Sequence, residues 1–402
     1  MSETLKGRPT GPYEVSTTSI TTFSNNPNDN NKSEASTTSL SPAHNAALHR
    51  AVQRVLSTGL AHDTLAQILD GLPTIDVALD RYQHRIYPEH PLHRHTAISG
   101  KARVAAREIV ARFGLAEDGV LPRLKNESME RFRTSAPGDR AYALALLELV
   151  AEAVHNITAG LFRRDMKLYD DSEQPVADED TGKTPAPLTV DDIVNWRRPV
   201  KDPMFPPREP WPTLFTHPMF VAHKQYPAGV ADMVGYWAED RILGGVVLFD
   251  HQHDDEETQP RGGSVIGGEG RLDQRFPEQK GGVYYNSARP DRTHKIFRLS
   301  GNQERRLFNF ILGPAQGGSF ETTMPAEGRT DTDLRSPLPI LYRFRDNPEL
   351  IDPEFAVVRE KVYRDKWERP PPRALDEILR AERDAIEGGN ETIQWFKDNG
   401  LI

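Results

Sequence analysis

The segment 231–250, ADMVGYWAEDRILGGVVLFD, decides the fold class of this chain. Two apolar runs flank the charged break at Glu239-Asp240, so the segment reads as two strands and a hairpin candidate. A second hairpin follows at 281–299, GGVYYNSARPDRTHKIFRL, with its turn at Arg289-Pro290-Asp291. In its last strand Thr293, Lys295, Phe297 and Leu299 take one face, and His294, Ile296 and Arg298 the other, because side chains alternate along a strand. Residues 299–312, LSGNQERRLFNFIL, then open a helix, with Ser300 and Gln303 at capping-box spacing. The expectation is an α+β fold: about four antiparallel strands covered by helices.

Upstream the period changes. In 44–59, HNAALHRAVQRVLSTG, the side chains Ala47, Leu48, Val52, Val55 and Leu56 share one helical stripe. Residues 99–114 repeat the pattern, with Ser99 as N-cap and Gly114 as stop. The strongest helix lies in 139–165, where Leu144, Leu147, Val150, Val154, Ile157 and Leu161 recur at intervals of three and four. A helical N-terminal bundle over 44–165 is expected. Residues 1–43 are a Ser/Thr/Asn-rich tail, these types filling 21 of the 43 positions. With so few large apolar groups it cannot offset its ordering entropy, so disorder is expected. Nine prolines fall in 166–212, an acidic linker in which Thr189 caps one short helix. The α+β domain is taken as 213–402. Its C-terminal part reads as helical again, beginning with Asp352-Pro353 before EFAVVREKVYRDKW and ending in two last helices, ALDEILRAERDAIEGG and ETIQWFKDNG.

Composition narrows the function classes. The chain has 402 residues, a net charge of -9 and no cysteine. That excludes disulfides, thiolate nucleophiles and iron–sulfur clusters. The acidic balance argues against nucleic acid and anionic membranes as partners. No secretory signal is visible at the start, and no run of 18 apolar residues suggests a transmembrane helix. An intracellular protein, cytoplasmic or nuclear, is expected.

Three phrases carry a family resemblance: 226–252 (YPAGVADMVGYWAEDRILGGVVLFDHQ), 294–312 (HKIFRLSGNQERRLFNFIL) and 363–372 (YRDKWERPPP). Over roughly 205–372 the chain resembles an uncharacterised family of filamentous-fungal proteins. The family has no assigned activity, so the resemblance implies only a fungal intracellular protein with a shared α+β module.

The densest candidate chemistry is 250–257, DHQHDDEE. In a continued strand His251 and His253 point to one face, a known way to present two imidazoles to Zn²⁺, Fe²⁺ or Mn²⁺. Asp255 or His294 is the candidate third ligand. The competing reading is a wet loop after a strand, collecting charge as loops do. The connection that follows, 251–281, holds RGGSVIGGEG but lacks the Gly-Lys-Ser/Thr of a phosphate-binding loop and the spacing of a dinucleotide fingerprint. Arg289, Arg292 and Lys295 form a basic patch suited to an anionic ligand, or to the acidic stretch itself. His90, His93 and His95 make a second histidine cluster, read as metal ligands or as histidines that merely titrate. Aromatic residues from Tyr226 to Phe297 are core or pocket lining. Two functions stand: a non-catalytic interaction or scaffold protein with protein partners, or a metal-dependent enzyme, hydrolase or oxygenase, built on His251 and His253. No cofactor is implied beyond a divalent metal in the second reading, and the oligomeric state stays open.

Overall fold

A computed structural model describes residues 34–35, 40–82, 86–115, 124–169, 188–197, 212–251, 282–288, 295–313, 350–353, 355–357, 359–365 and 367–368. Two residues of the segment thought to be a tail, β1 (Glu34–Ala35), pair antiparallel with β2 (Leu124–Lys125). The helical part comprises α1 (Pro42–Leu56), α2 (Gly59–Asp70), α3 (Ile75–Tyr82), α4 (Gly100–Leu115), α5 (Asn126–Thr134) and α6 (Arg140–Phe162). After the short α7 (Val190–Val194) come α8 (Val230–Leu243), β3 (Val246–Asp250), β4 (Val283–Asn286), β5 (Ile296–Arg298), α9 (Gly301–Leu312), β6 (Leu350–Ile351) and β7 (Val362–Tyr363). The fold is α+β, and the five-stranded antiparallel sheet runs β6-β5-β4-β3-β7.

Helix α6 is the axis, packing against α1, α2, α5, α8 and α9. It is long and apolar enough to cross a membrane by length and composition, yet 89% of its most apolar window is buried inside the fold, which makes it a core helix. The main core joins Leu48, Leu65, Leu147 and Val150 from the helical part to Val247, Tyr285 and Phe297 of the sheet. One core therefore contains residues from both sides of the proline-rich stretch. The opposite sheet face, with Val246, Leu248, Tyr284 and Ile296, packs on Phe220, Met233 and Tyr236. The alternation expected for the β5 strand holds, with Phe297 and Ile296 entering different cores, and both faces are covered.

Two readings need correction. The first half of 231–250 is a helix, not a strand: α8 starts after Gly229 (φ 63°) and is stopped by Gly244 in the left-handed conformation (φ 91°). Every residue from Ala231 to Leu243 is buried. A helix buried on all sides has no polar face, so its sequence lacks the period that separates it from a strand. Accordingly the hairpin around Glu239-Asp240 does not exist; the bend is a helix-to-strand step. The helix expected from Asp352-Pro353 is the second correction. One turn forms, with the Arg359 N–H donating to the Phe355 carbonyl at 2.9 Å. Lys361 then takes a positive φ of 55°, and Val362–Tyr363 pairs with Phe249–Asp250 as β7. The Ser300/Gln303 capping box and the Thr189 cap form as expected, the latter as a capping box with Asp192. The last two expected helices and the Arg289-Pro290-Asp291 turn lie outside the described residues.

Candidate functional site

Two features stand out, a buried charged network and a cleft beside it. The network starts on α6, whose Glu148, Glu152 and His155 share one face by their spacing of four and three. All three are buried. Opposite lies α8, with Asp232, Gly235, Tyr236 and Glu239 on the facing stripe. Gly235 is required there: a Cβ would come within 2.6–2.8 Å of the His155 ring atoms. His155 Nε2 donates to Asp232 Oδ1 at 3.2 Å, and Nδ1 lies 3.7 Å from Glu239 Oε2. Asp232 also accepts the Ala228 N–H at 2.7 Å, and Glu239 Oε1 accepts the N–H of Val247 at 2.8 Å.

The third side is closed by residues 362–365, a strap that begins with β7, and by 367–368. Arg364 Nη1 donates to Glu239 Oε2 at 2.6 Å, and its guanidinium stands 5.3 Å over the Tyr236 ring. Tyr226 and Gln225 donate to the carbonyls of Glu368 and Trp367 at 3.1 and 2.7 Å. Lys125 of β2 bridges the strap to α6, with Nζ 2.7 Å from Asp365 and 3.2 Å from Glu152. Ser128 links Glu152 to Glu148, which Arg131 grips with two bonds at 2.6 and 2.8 Å.

Burial, the largest influence on His155, favours the neutral ring. The hydrogen bonds to Asp232 and Glu239 outweigh it and hold its pKa above the ordinary 6.5, while Arg364 pulls it back. Burial pushes the Tyr236 hydroxyl well above its usual range, so it stays protonated. Glu152 is likewise raised by burial, against the opposing charge of Lys125.

At the Glu148 end of this network a cleft of about 380 Å³ opens between α5, α6 and β3. Leu144, Ala145 and Phe249 are apolar residues of its lining, and Arg131, Glu148 and His251 are polar ones. His251 is held from behind. Its Nε2 faces the Tyr363 carbonyl at 3.0 Å, and since a carbonyl only accepts, that nitrogen carries the proton. Its ring stacks on Tyr363 at 4.4 Å, and its backbone N–H donates to the Lys361 carbonyl at 2.8 Å. The cleft and the strap thus share a wall.

No family model matches this chain, and no curated protein or solved structure matches it.

Of the sequence-expected metal ligands, His251 lines the cleft; His253, Asp255 and His294 lie outside the described residues, as do Arg289 and Arg292. Lys295 is exposed at the start of β5. Among the described residues, no group of three or more His, Asp or Glu is placed to hold a metal ion. The second histidine cluster is dispersed. His90 accepts the Leu92 N–H at 3.1 Å as a cap, His93 meets the Tyr87 carbonyl at 3.1 Å, and His95 is buried beside Asp70. The described aromatic residues between Tyr226 and Phe297 are core, and Phe249 also lines the cleft. Sequence reasoning missed His155, Asp232, Glu239, Arg364 and Lys125. One signal was present: carboxylates and a histidine at helical spacing in otherwise apolar runs, on both α6 and α8.

Proposed function

We propose that this protein is a non-catalytic interaction or scaffold protein that presents the cleft between α5, α6 and β3 to a protein partner. The observation that carries this reading is the lining of the cleft, where the apolar Leu144, Ala145 and Phe249 stand together with the hydrogen-bonding Arg131, Glu148 and His251. That is the anatomy of a contact surface, which excludes water at its centre and fixes register at its edge. The charged groups of the interior favour it too, because they engage one another and hold the cleft's walls. The partner chemistry that fits is a peptide segment placing one apolar side chain on Leu144 and Phe249. A net charge of -9 favours protein over nucleic acid or an anionic membrane as that partner. A cytoplasmic or nuclear location and the fungal family resemblance belong to the same reading.

The test is site-specific photo-crosslinking in cells, with the crosslinker placed at Ala141 in the cleft or at exposed Val104 on α4. A discrete adduct from Ala141 alone, abolished by Leu144→Arg at unchanged melting temperature, is expected. Equal adducts from both positions would refute the cleft as a partner surface.

The metal-dependent enzyme is the second reading, kept on one observation: His251 lines this cleft. Elemental analysis of the purified chain separates the two. Stoichiometric metal, lost in the His251→Ala/His253→Ala double variant, selects the enzyme.

A further inference from the structure

We propose that a proton on His155 and the docking of the strap Val362–Asp365 oppose each other, so that the strap, and with it the His251 wall of the cleft, is held more tightly as the medium becomes more alkaline. The proposal rests on the cleft reading only for its functional meaning.

The geometry around His155 contains a conflict that the proton resolves. Arg364 Nη2 lies 3.4 Å from His155 Nδ1. A guanidinium has only donors, so this approach is a hydrogen bond only while Nδ1 is bare. Nε2 faces the Asp232 carboxylate, an acceptor, and keeps its proton in either state. When Nδ1 gains a proton it becomes a donor and turns to Glu239 Oε2, 3.7 Å away. That oxygen already accepts Arg364 Nη1 at 2.6 Å. Two cations then share one carboxylate oxygen, and Arg364 Nη2 loses its acceptor on His155.

The groups facing His155 are Asp232, Tyr236 and Glu239 from α8 and Arg364 from the strap. Tyr236 stays neutral, and Glu152, the preceding acid on α6, is engaged by Lys125. Arg364 is therefore the cation whose departure changes the balance at the ring. It lowers the proton affinity of His155, and coupling between two sites is reciprocal, so the proton weakens the docking of Arg364 by the same factor. Undocking also rehydrates the imidazolium, which acts in the same direction.

The strap transmits the change. Leaving β3 breaks the pairings Phe249↔Tyr363 and Asp250↔Val362. It also removes the carbonyl and the ring of Tyr363 from His251. The folded protein as a whole responds oppositely, since the carboxylates of α8 stabilise the charged ring.

The chain has no cysteine, so Val362→Cys places a single thiol at a buried strap position. Its reaction rate with a dithiodipyridine reagent is measured at a series of pH values above 6.5 and divided by the rate of the same chain unfolded in urea. The normalised rate is expected to fall about five-fold or more as pH rises. A Leu48→Cys control in the helical body, which reports global opening, is expected to hold steady or to rise. In His155→Gln the strap thiol loses its pH dependence. A strap rate that stays flat or rises with pH overturns the proposal without needing the His155 variant to fold. No partner is present in this assay, so the strap's behaviour and the cleft's partner fail or stand separately.

Discussion

His95 and His155 are both buried beside an aspartate, yet the fold moves their pKa values in opposite directions. His95 sits between α3 and α4, its Nε2 3.5 Å from Asp70 Oδ2. Asp70 is already satisfied by Ser99, whose Oγ and backbone N–H donate at 2.7 and 3.2 Å. Tyr169 closes the other side edge-on at 5.0 Å. Burial dominates there and lowers the His95 pKa to about 4, so the ring is neutral. A backbone hydrogen bond at Leu72 and the charge of Asp76 favour the charged ring, but burial outweighs them. His155 lies between two carboxylates and is raised instead. Burial opposes the charge at both sites; two carboxylate hydrogen bonds outweigh it at His155, and one backbone hydrogen bond does not at His95.

The largest expected effect breaks the α6–α8 side. Arg364→Ala leaves Glu239 buried without its cation and should destabilise by about 3–5 kcal/mol in urea denaturation. Asp70→Asn, which keeps an acceptor for Ser99 beside a neutral ring, should lose clearly less. Near-equal losses would mean that the two sites do not differ in kind.

The pH dependence comes next. His95 has a folded pKa below that of the unfolded chain, so its contribution is present above pH 6.5 and is lost as pH falls through about 4. The gap from 6.5 to about 4, at about 1.4 kcal/mol per pH unit, amounts to about 3 kcal/mol. His155 runs the other way: its contribution is present below pH 6.5 and is lost as pH rises through its elevated folded value. Chemical denaturation across pH should show that His95→Gln flattens the acid limb and His155→Gln the alkaline limb.

A smaller effect sharpens the packing side. Gly235→Ala should cost about 1–3 kcal/mol, because its Cβ meets the His155 ring. Gly100→Ala at the start of α4 meets nothing within 4 Å and should be neutral or slightly stabilising. The smallest loss, about 1 kcal/mol in thermal melts, is expected for Thr58→Ala, which caps α2 through the Ala61 N–H at 3.2 Å.

Local signals were legible wherever one face of an element meets water or a cap. Helix α1 carries its stripe, though its Ser41 cap lies in the segment read as a tail, and α9 begins at its capping box. The β4–β5 pairing follows from alternation and lies where the pattern put it. Residues buried on all sides were not legible as a period, and α8 was misread for that reason. The candidate site was legible only at His251. His155 reaches partners 77 and 209 residues away, a separation that no spacing rule encodes.

By itself, the sequence determined an α+β chain with a helical front half, specific helix starts and a thiol-free chemistry. Those properties depend on residue type and on neighbours three or four positions apart. Only the tertiary structure decided that 231–243 is helical, that 362–365 form a strap, and that one buried histidine is raised in pKa while the other is lowered. Each of these follows from which groups meet across the core, where desolvation makes every partner count and where chain distance carries no information.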